Sequence, residues 1–266
     1  MDDDRGVASH RAARLERGPG CGGATDIGPV RERNEDAFWI SEDASALIVA
    51  DGLGGLPAGD IASTLAVAAA SQFLASTAAD PPVANTPESI EAGLRRTAHE
   101  AAAEAQQVLI EASERYPQLR GMATTLVIVL IDGLRATVLQ IGDSRAALWR
   151  LGRMVQETID QNFAGDMVRE GVLTADEARR HPSRNLVREV VGLPGGYQAE
   201  CHTWSLEPGD VVLAFTDGVS ETVPAAEISR ILGESSDAAT AAVEMVRTAA
   251  ALGGSDNATA IVRYVT

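Results

Sequence analysis

The chain has 266 residues, of which 45% are hydrophobic, and its formal net charge at pH 7 is −16. This length can bury a large core and suits one sizeable domain, while the negative charge argues against nucleic-acid binding, because phosphate backbones require a basic surface. No apolar run reaches the roughly 18 residues of a membrane helix, and residues 1–20 lack the apolar core of a signal peptide. We therefore expect a cytoplasmic protein without a membrane segment. Cys21 and Cys201 have no paired spacing, so we expect no disulfide framework.

The first half of the chain reads as short strands followed by two long helices. Residues 1–20 are polar and punctuated by glycine, which predicts a disordered tail before a single domain over 21–266. The segments GATDIG, DAFWISE and ASALIVA have the pattern of short strands, and the third runs into Asp51-Gly52. Helical composition then extends from Gly59 to Ala79 and from Glu88 to Glu114, with the breaker DPPVANTP between the two helices.

The second half returns to strands. MATTLVIVLI and LRATVLQI predict a hairpin closed by a two-residue turn at Asp132-Gly133, and SRAALWRL and MVQET continue the sheet. The charged, partly helical insertion at about 160–190 is typical of a lid. YQAECHTWSL, DVVLAFT and NATAIVRYV supply the late strands, with one or two helices across 225–251. Blocks of strands and helices favour two antiparallel sheets flanked by helices over a parallel sheet.

Aspartates at strand ends are the main functional signal. Asp51, Asp143, Asp217 and Asp256 each lie where an apolar run meets a glycine or a polar turn. A single Asp-Gly pair is more often a simple turn, and Asp132 is assigned that role because strands flank it on both sides. Repetition of the pattern favours a metal site, because Mg²⁺ and Mn²⁺ prefer oxygen ligands and can use a backbone carbonyl that an adjacent glycine leaves unobstructed.

A charged turn near the start of the fold adds a second signal. RERNEDAF places Arg31, Arg33, Asn34, Glu35 and Asp36 within six residues. Alone, this turn reads as a solvated surface. Beside a carboxylate cluster, an arginine offers a planar fork for phosphate, and neighbouring acids can hold water. The sequence contains no GxSxG, lysine-bearing P-loop, HExxH or HCxxxxxR motif, which argues against serine hydrolases, NTPases, HExxH metalloenzymes and cysteine phosphatases.

Seven segments together resemble the metal-dependent PP2C (PPM) family of serine/threonine protein phosphatases, of the compact bacterial type. In order they are ATDIGPVRERNEDAF, VADGLGGLPAGDIAS, GMATTL, IGDSRAALWR, the lid with HPSRNLVREVVG, LAFTDGV and GGSDNATAIV, and they cover about 21–265. The resemblance implies an α+β fold, a four-layer αββα sandwich with a lid insertion. It also implies a binuclear Mn²⁺ or Mg²⁺ centre between two central antiparallel sheets.

The resemblance also implies a ligand set for the metals. Asp51 bridges the two ions, and Gly52 gives its backbone carbonyl to one of them. Asp217 and Asp256 complete the protein ligands of the other ion. Asp143 matches the position that, with Asp217, holds the third metal of bacterial members.

The resemblance implies substrate and water contacts as well. Arg31 matches the arginine that binds the substrate phosphate, and Glu35 and Asp36 match an acidic pair that acts through water. Asn257 is a lesser candidate with a structural role. The implied mechanism uses a water activated by two cations to attack phosphorus in line, without a covalent enzyme intermediate. The resemblance therefore implies a catalytic set of Arg31, Asp51, Asp217 and Asp256.

Two departures from the family pattern concern residues near the site. DGLGGL stands where bacterial members often have DGMGGH, so Leu53 and Leu56 offer no imidazole to protonate the leaving group, and water is expected to serve instead. In the lid, Asp160-Gln161-Asn162 replaces the frequent DHS, which bears on substrate choice or lid dynamics.

The resemblance implies an enzyme that hydrolyses phosphoserine and phosphothreonine in proteins, opposing a bacterial Ser/Thr kinase. Two alternatives stay open: a phosphatase of one regulator such as an anti-sigma-antagonist-like protein, and a non-catalytic sensor or scaffold on the same fold. The expected partners are phosphoproteins and a cognate kinase, with neither nucleic acid nor membrane. A monomer is the expected state.

Overall fold

Two antiparallel sheets lie face to face between two sets of helices in the computed structural model, which describes residues 14–18, 20–53, 58–77 and 86–266. The predicted αββα sandwich is confirmed. The first sheet has the order β1-β2-β11-β10-β7-β8, and its strands are β1 (Arg14–Gly18), β2 (Cys21–Asp26), β7 (Arg145–Arg150), β8 (Arg153–Glu157), β10 (Val211–Phe215) and β11 (Ala258–Tyr264). The second sheet has the order β3-β4-β5-β6-β9, and its strands are β3 (Asp36–Ile40), β4 (Ala46–Asp51), β5 (Leu126–Asp132), β6 (Arg135–Ile141) and β9 (Glu200–Ser205).

The described residues form seven α-helices, of which the first two and the last two cover the outer faces of the two sheets. They are α1 (Gly59–Thr77), α2 (Pro87–Arg115), α3 (Phe163–Arg169), α4 (Ala175–Ala178), α5 (Asp217–Ser220), α6 (Ala225–Glu234) and α7 (Ala238–Ala251), with a short 3₁₀ helix at Pro117–Leu119. Helix α2 begins with a reciprocal capping box between Thr86 and Ser89. Both α1 and α2 bury alanines against each other and the second sheet, because small side chains let the layers approach closely. Among the described residues, no helix is long and apolar enough to cross a membrane.

Strand β4 is apolar from Ala46 to Ala50 because both of its faces are buried. Successive side chains of a strand point to opposite faces of the sheet. Ile48 and Ala50 pack into the core beneath α1 and α2, whereas Leu47 and Val49 pack into the core between the two sheets. Both faces are buried, so no polar residue interrupts the strand until Asp51 at its end.

Two details differ from the sequence predictions. The prediction of a disordered tail over 1–20 is wrong for Arg14–Gly18, because this segment pairs with β2 as an edge strand. Residues 1–13 and 19 lie outside the described part of the chain. The hairpin turn is displaced by one residue. Asp132 pairs with Arg135, and the turn consists of Gly133 and Leu134, because Gly133 adopts the left-handed conformation with φ of 53°.

Candidate active site

Five strand ends meet at one end of the stacked sheets. Strand β3 begins at Asp36 and β4 ends at Asp51, and the antiparallel register places these two aspartates directly opposite each other. Asp143 follows the end of β6, Asp217 follows the end of β10, and Asp256 precedes the start of β11. The fold therefore brings the carboxylates predicted for the site to one edge, although the chain separates the first of them from the last by more than 200 residues.

Asp36 links the two sheets at this edge. Its carboxylate is only 9% exposed, and Oδ2 accepts hydrogen bonds from the hydroxyls of Thr216 at 2.9 Å and Thr259 at 2.6 Å, both in the other sheet layer. The second oxygen, Oδ1, is buried without a hydrogen-bond partner. Burial raises the pKa of Asp36 from 3.8 to about 7, although the two threonine hydroxyls oppose that rise.

Asp51 and Gly52 are held through their backbones. The Asp51 amide donates to Thr125 Oγ1 at 2.9 Å, and its carbonyl accepts from Thr124 Oγ1 at 2.8 Å. Burial, followed by the negative charge of Asp36, raises the pKa of Asp51 well above its ordinary value. A side chain at position 52 would meet the carbonyl oxygen of Gly59 at 2.1 Å, so only glycine fits at this close approach of two backbones.

Asp217 is the first residue of α5, directly after its N-cap Thr216. Its Oδ1 is buried without a hydrogen-bond partner. The pKa of Asp217 is raised well above its ordinary value by burial and then by the charges of Asp143 and Asp256. Two buried carboxylates of the site thus each keep one unpaired oxygen, a costly arrangement unless a cation or water satisfies it.

Asp143 lies in the loop after β6 and is 5% exposed. Its pKa rises to about 7, first through burial and then through the negative charge of Asp160. Asp160 is itself paired with Arg145, whose guanidinium Nε and Nη2 contact its two oxygens at 2.5 and 2.8 Å. Asp143 therefore belongs to the same group of interacting carboxylates but lies on the side toward the lid.

The Arg31 turn packs against the opposite side of the group. Arg31 Nη2 contacts Asp256 Oδ2 at 2.5 Å. Asn257 fastens this turn, because its Oδ1 accepts from the Glu35 amide at 2.8 Å and its Nδ2 donates to the carbonyls of Ile27 and Arg33 at 2.9 Å each. Burial raises the pKa of Glu35 above its ordinary value, and the Glu35 carboxylate lies beside Gly59 at the start of α1.

The family follows from comparison with known proteins. A family model described as "Protein phosphatase 2C" matches residues 30–255. The chain belongs to the protein phosphatase 2C family. The resemblance inferred from the sequence motifs is therefore confirmed.

Relatives and solved structures agree with this assignment. The serine/threonine phosphatase stp of Listeria innocua is 32% identical to this PP2C chain over 240 residues, which cover 89% of the chain and 92% of the relative. The serine/threonine protein phosphatase PstP of Mycobacterium tuberculosis is 35% identical over 243 residues, 91% of this chain and 44% of PstP. A crystal structure of PstP superposes with a TM-score of 0.79 at 30% identity, covering 96% of this chain and 99% of that one. A structure of the PstP catalytic domain in complex with two manganese ions gives a TM-score of 0.75 at 30% identity, covering 96% of this chain and 100% of that one.

The donor set of this PP2C site fits a hard divalent cation. Within the described ranges, no three His, Cys, Asp or Glu side chains are arranged to hold a metal ion by themselves, and Asp256 is turned toward Arg31. Mg²⁺ and similar ions need fewer protein ligands, because they keep several waters and bind through one or two carboxylates. The unpaired oxygens of Asp36 and Asp217 and the raised carboxylate pKa values indicate a site whose negative charge a divalent cation would balance.

Sequence reasoning overlooked the residues that orient these carboxylates. Thr216, Thr259, Thr124 and Thr125 are almost fully buried and bond the aspartates or their backbones. Each adjoins or lies close to a strand-end motif, which is the only signal the sequence carries for them. Asp132 is exposed at the far end of β5 and takes no part in the site.

The two family departures have different structural outcomes. The Leu53 amide donates to the Ala123 carbonyl at 3.0 Å, while Leu56 lies outside the described residues. Gln161 is buried in the base of the lid and bonds the backbone around Gly142. Of the two roles that the sequence leaves open for Gln161, substrate choice and lid dynamics, its buried backbone contacts favour the lid.

Proposed function

We propose that this chain is a metal-dependent phosphatase that hydrolyses phosphoserine and phosphothreonine in proteins. The observation that carries the proposal is the convergence of buried carboxylates with unpaired oxygens beside an arginine, in a chain of the protein phosphatase 2C family. Relatives named serine/threonine phosphatases support the substrate class.

The proposed ligand set follows the strand ends. Asp51 and the Gly52 carbonyl hold one cation, and Asp51, Asp217 and Asp256 hold a second. We assign Asp143, together with Asp217, to a third and weaker site. Mn²⁺ or Mg²⁺ at these positions supplies charge neutralisation and lowers the pKa of bound water. The two manganese ions of a PstP structure support the choice of metal and the count.

The protein's own groups bind and orient the reactants. Arg31 holds the phosphate oxygens with its guanidinium, which requires release from Asp256. Thr216 and Thr259 fix one oxygen of Asp36 and leave the other free, and Glu35 with Asp36 positions water. The described histidines, His99, His181 and His202, lie on α2, in the lid and on β9, and we assign protonation of the leaving group to water, because Leu53 and Leu56 offer no imidazole.

The charge of the site answers an electrostatic objection. A protein with a formal net charge of −16 repels a phosphoprotein, and a cleft lined by aspartates adds to that repulsion. Divalent cations together with Arg31 reverse the sign of the charge at the cleft itself.

The test compares a graded set of aspartate variants. Purified protein with Mn²⁺ should hydrolyse a phosphothreonine peptide and p-nitrophenyl phosphate. Asp51→Ala and Asp217→Ala should abolish turnover, Asp143→Ala should mainly raise the Mn²⁺ concentration required, and Asp132→Ala, an exposed control, should leave activity unchanged. Absence of hydrolysis of both substrates by the wild-type protein would contradict the proposal, and equal loss in all four variants would contradict the residue assignment.

Substrate range and partners form a finer part of the proposal. We propose a cytoplasmic monomer that acts on the targets of a cognate Ser/Thr kinase. Comparison of phosphoproteomes with and without the gene separates this from dedication to one regulator, because many altered threonine sites support the former and one altered protein the latter. A non-catalytic scaffold predicts that Asp217→Ala keeps its function in cells.

A further inference from the structure

The loop that carries Asp143 is held by two buried glutamines. Gln140 on β6 donates from Nε2 to the carbonyls of Gly142 at 3.2 Å and Ser144 at 3.0 Å. Gln161, on the lid side, accepts a hydrogen bond from the Gly142 backbone N–H at 2.7 Å through Oε1, and the backbone N–H of Gln161 donates to the Gly142 carbonyl at 3.0 Å. Every hydrogen bond of Gly142 named here depends on one of these glutamines.

Gly142 itself has little freedom to move. Its φ of 102° lies in the region that favours glycine, and a side chain there would meet Thr125 Cγ2 at 2.7 Å. Two residues further on, the Ser144 hydroxyl forms a hydrogen bond of 2.7 Å with Thr125 Oγ1. Thr125 Oγ1 also accepts a hydrogen bond from the Asp51 amide. The position of the Asp143 loop is thus tied to Asp51 on one side and to Gln161 on the other.

Gln161 also ties together the two ends of the lid. Its carbonyl accepts from the Arg188 amide at 2.9 Å, and its Nε2 donates to the Gln198 carbonyl at 2.9 Å. The residue is only 6% exposed, and both polar atoms of its side chain bond the backbone. Its polar groups serve the backbone of the loop, the start of the lid and the chain that leaves the lid.

We propose that Gln161 is a positioning residue that couples order in the lid base to the placement of Asp143. Removal of its side-chain amide leaves the buried Gly142 N–H without a partner and releases the Gln198 carbonyl, so the loop and the lid base loosen together. The proposal rests on the proposed function only where cation binding is concerned, and its structural part stands without it.

The first measurement is amide hydrogen exchange of the cation-free protein in a chelator. In Gln161→Leu, which keeps the volume and removes both side-chain bonds, exchange should be at least tenfold faster, equivalent to about 1.4 kcal/mol, both around 142–144 and across 160–190. Gln161→Asn, which shortens the side chain by one methylene, should give a smaller effect in the same two segments and provides the measurement if Gln161→Leu does not fold. Gln161→His keeps one acceptor and one donor nitrogen and should restore protection.

Gln106 provides a matched control. It accepts from the Gly192 amide at 2.7 Å and donates to the Leu193 carbonyl at 2.9 Å, so Gln106→Leu removes the same two kinds of bond from α2. Amide hydrogen exchange of Gln106→Leu should become faster near 192–193 and stay as in the wild type around 142–144. Unchanged exchange of both segments in Gln161→Leu and Gln161→Asn, or the same pattern in Gln106→Leu, would overturn the proposal.

The second measurement is Mn²⁺ titration by calorimetry without substrate. Gln161→Leu should weaken by at least threefold the binding that Asp143→Ala also weakens, and in the Asp143→Ala background it should have no further effect, because both changes act on one carboxylate. Additive effects of the two substitutions would overturn the coupling. A wild-type protein that lacks phosphatase activity would contradict the proposed function but leave the exchange result intact.

Discussion

Replacing Asp36 by asparagine should stabilise the cation-free protein at alkaline pH and weaken its activity. Burial raises the pKa of Asp36 from 3.8 to about 7, so between roughly pH 4 and 7 the folded protein holds one more proton than the unfolded chain. Stability therefore falls as pH rises through this window, and the loss is complete above about pH 7. Asparagine carries no charge at any of these pH values and removes this loss.

The magnitude follows from the pKa values. A rise from 3.8 to about 7 corresponds, at about 1.4 kcal/mol per pKa unit, to a difference of about 4 kcal/mol at pH 8. For a chain of this size that is a gain of roughly 8–16 °C in Tm. The side-chain oxygen of asparagine can still accept from Thr216 and Thr259, and its amide is placed to donate toward Asp51. At pH 4 the gain should vanish, because the wild-type carboxylate is protonated in the folded state.

The assay is urea unfolding in a chelator at pH 4 and pH 8, with Mn²⁺ titration by calorimetry. Asp36→Asn should also bind Mn²⁺ more weakly and hydrolyse a phosphothreonine peptide more slowly, since a charge that destabilises the free protein serves cation binding. Asp132→Asn, an exposed change, should shift stability by at most about 0.5 kcal/mol at either pH. A gain for Asp36→Asn that is absent at pH 8, or equal at both pH values, would refute the reasoning.

Three further variants, one of them with a matched control, test the packing and charge of the site. Gly218→Ala places a methyl group 1.9 Å from the Asn257 carbonyl oxygen and should lower the free energy of unfolding by about 1–3 kcal/mol. The control is Gly233→Ala in helix α6, where a methyl group meets no atom within 4 Å and should raise the free energy of unfolding by up to about 1 kcal/mol. Denaturant unfolding of both variants measures these changes. Asn257→Asp sets a carboxylate oxygen against two carbonyls that now accept hydrogen bonds at 2.9 Å, and we expect about 2–4 kcal/mol of lost stability by the same measurement. Arg31→Gln should lower kcat/KM for a phosphopeptide by about 10- to 100-fold. The same change should tighten Mn²⁺ binding, measured by calorimetry, by up to about fivefold. A fall in both kcat/KM and Mn²⁺ affinity would contradict the assignment of this arginine to phosphate.

The order of elements and the strand-end carboxylates could be predicted from the sequence, because both are local signals. Apolar runs bounded by glycine located β4 and β10, and Asp-Gly pairs located their ends. Strand β1 escaped prediction because RLERG has no alternating pattern, and an edge strand that pairs with a single neighbour requires none. Its backbone pairing with β2 is a tertiary fact that composition does not record.

The partners of the carboxylates could not be predicted, because sequence separation hides them. Thr216 and Thr259 lie 180 and 223 residues from Asp36, and only the stacking of the two sheets brings them together. Asp132 and Asp51 have the same local sequence, and the direction of their strands alone sends one to the solvent and the other to the site. For the departure at Gln161 the sequence leaves substrate choice and lid dynamics open, and it carries no signal for the buried bond from the Gly142 amide.

The ion pair between Arg31 and Asp256 couples the proposed binding of a cation to the proposed binding of phosphate. One guanidinium nitrogen contacts the carboxylate at 2.5 Å, and the two side chains are 37% and 31% exposed, so the pair contributes at most about 1 kcal/mol and opens at small cost. In the proposed assignment Asp256 holds a cation and Arg31 holds the phosphate, whereas in the structure the two side chains pair with each other. A cation at Asp256 would compete with the guanidinium for the same oxygen, and its charge would favour release of Arg31 toward the cleft. Because the ion pair opens at small cost, we expect a bound cation to tighten phosphate binding, and phosphate alone to bind more weakly.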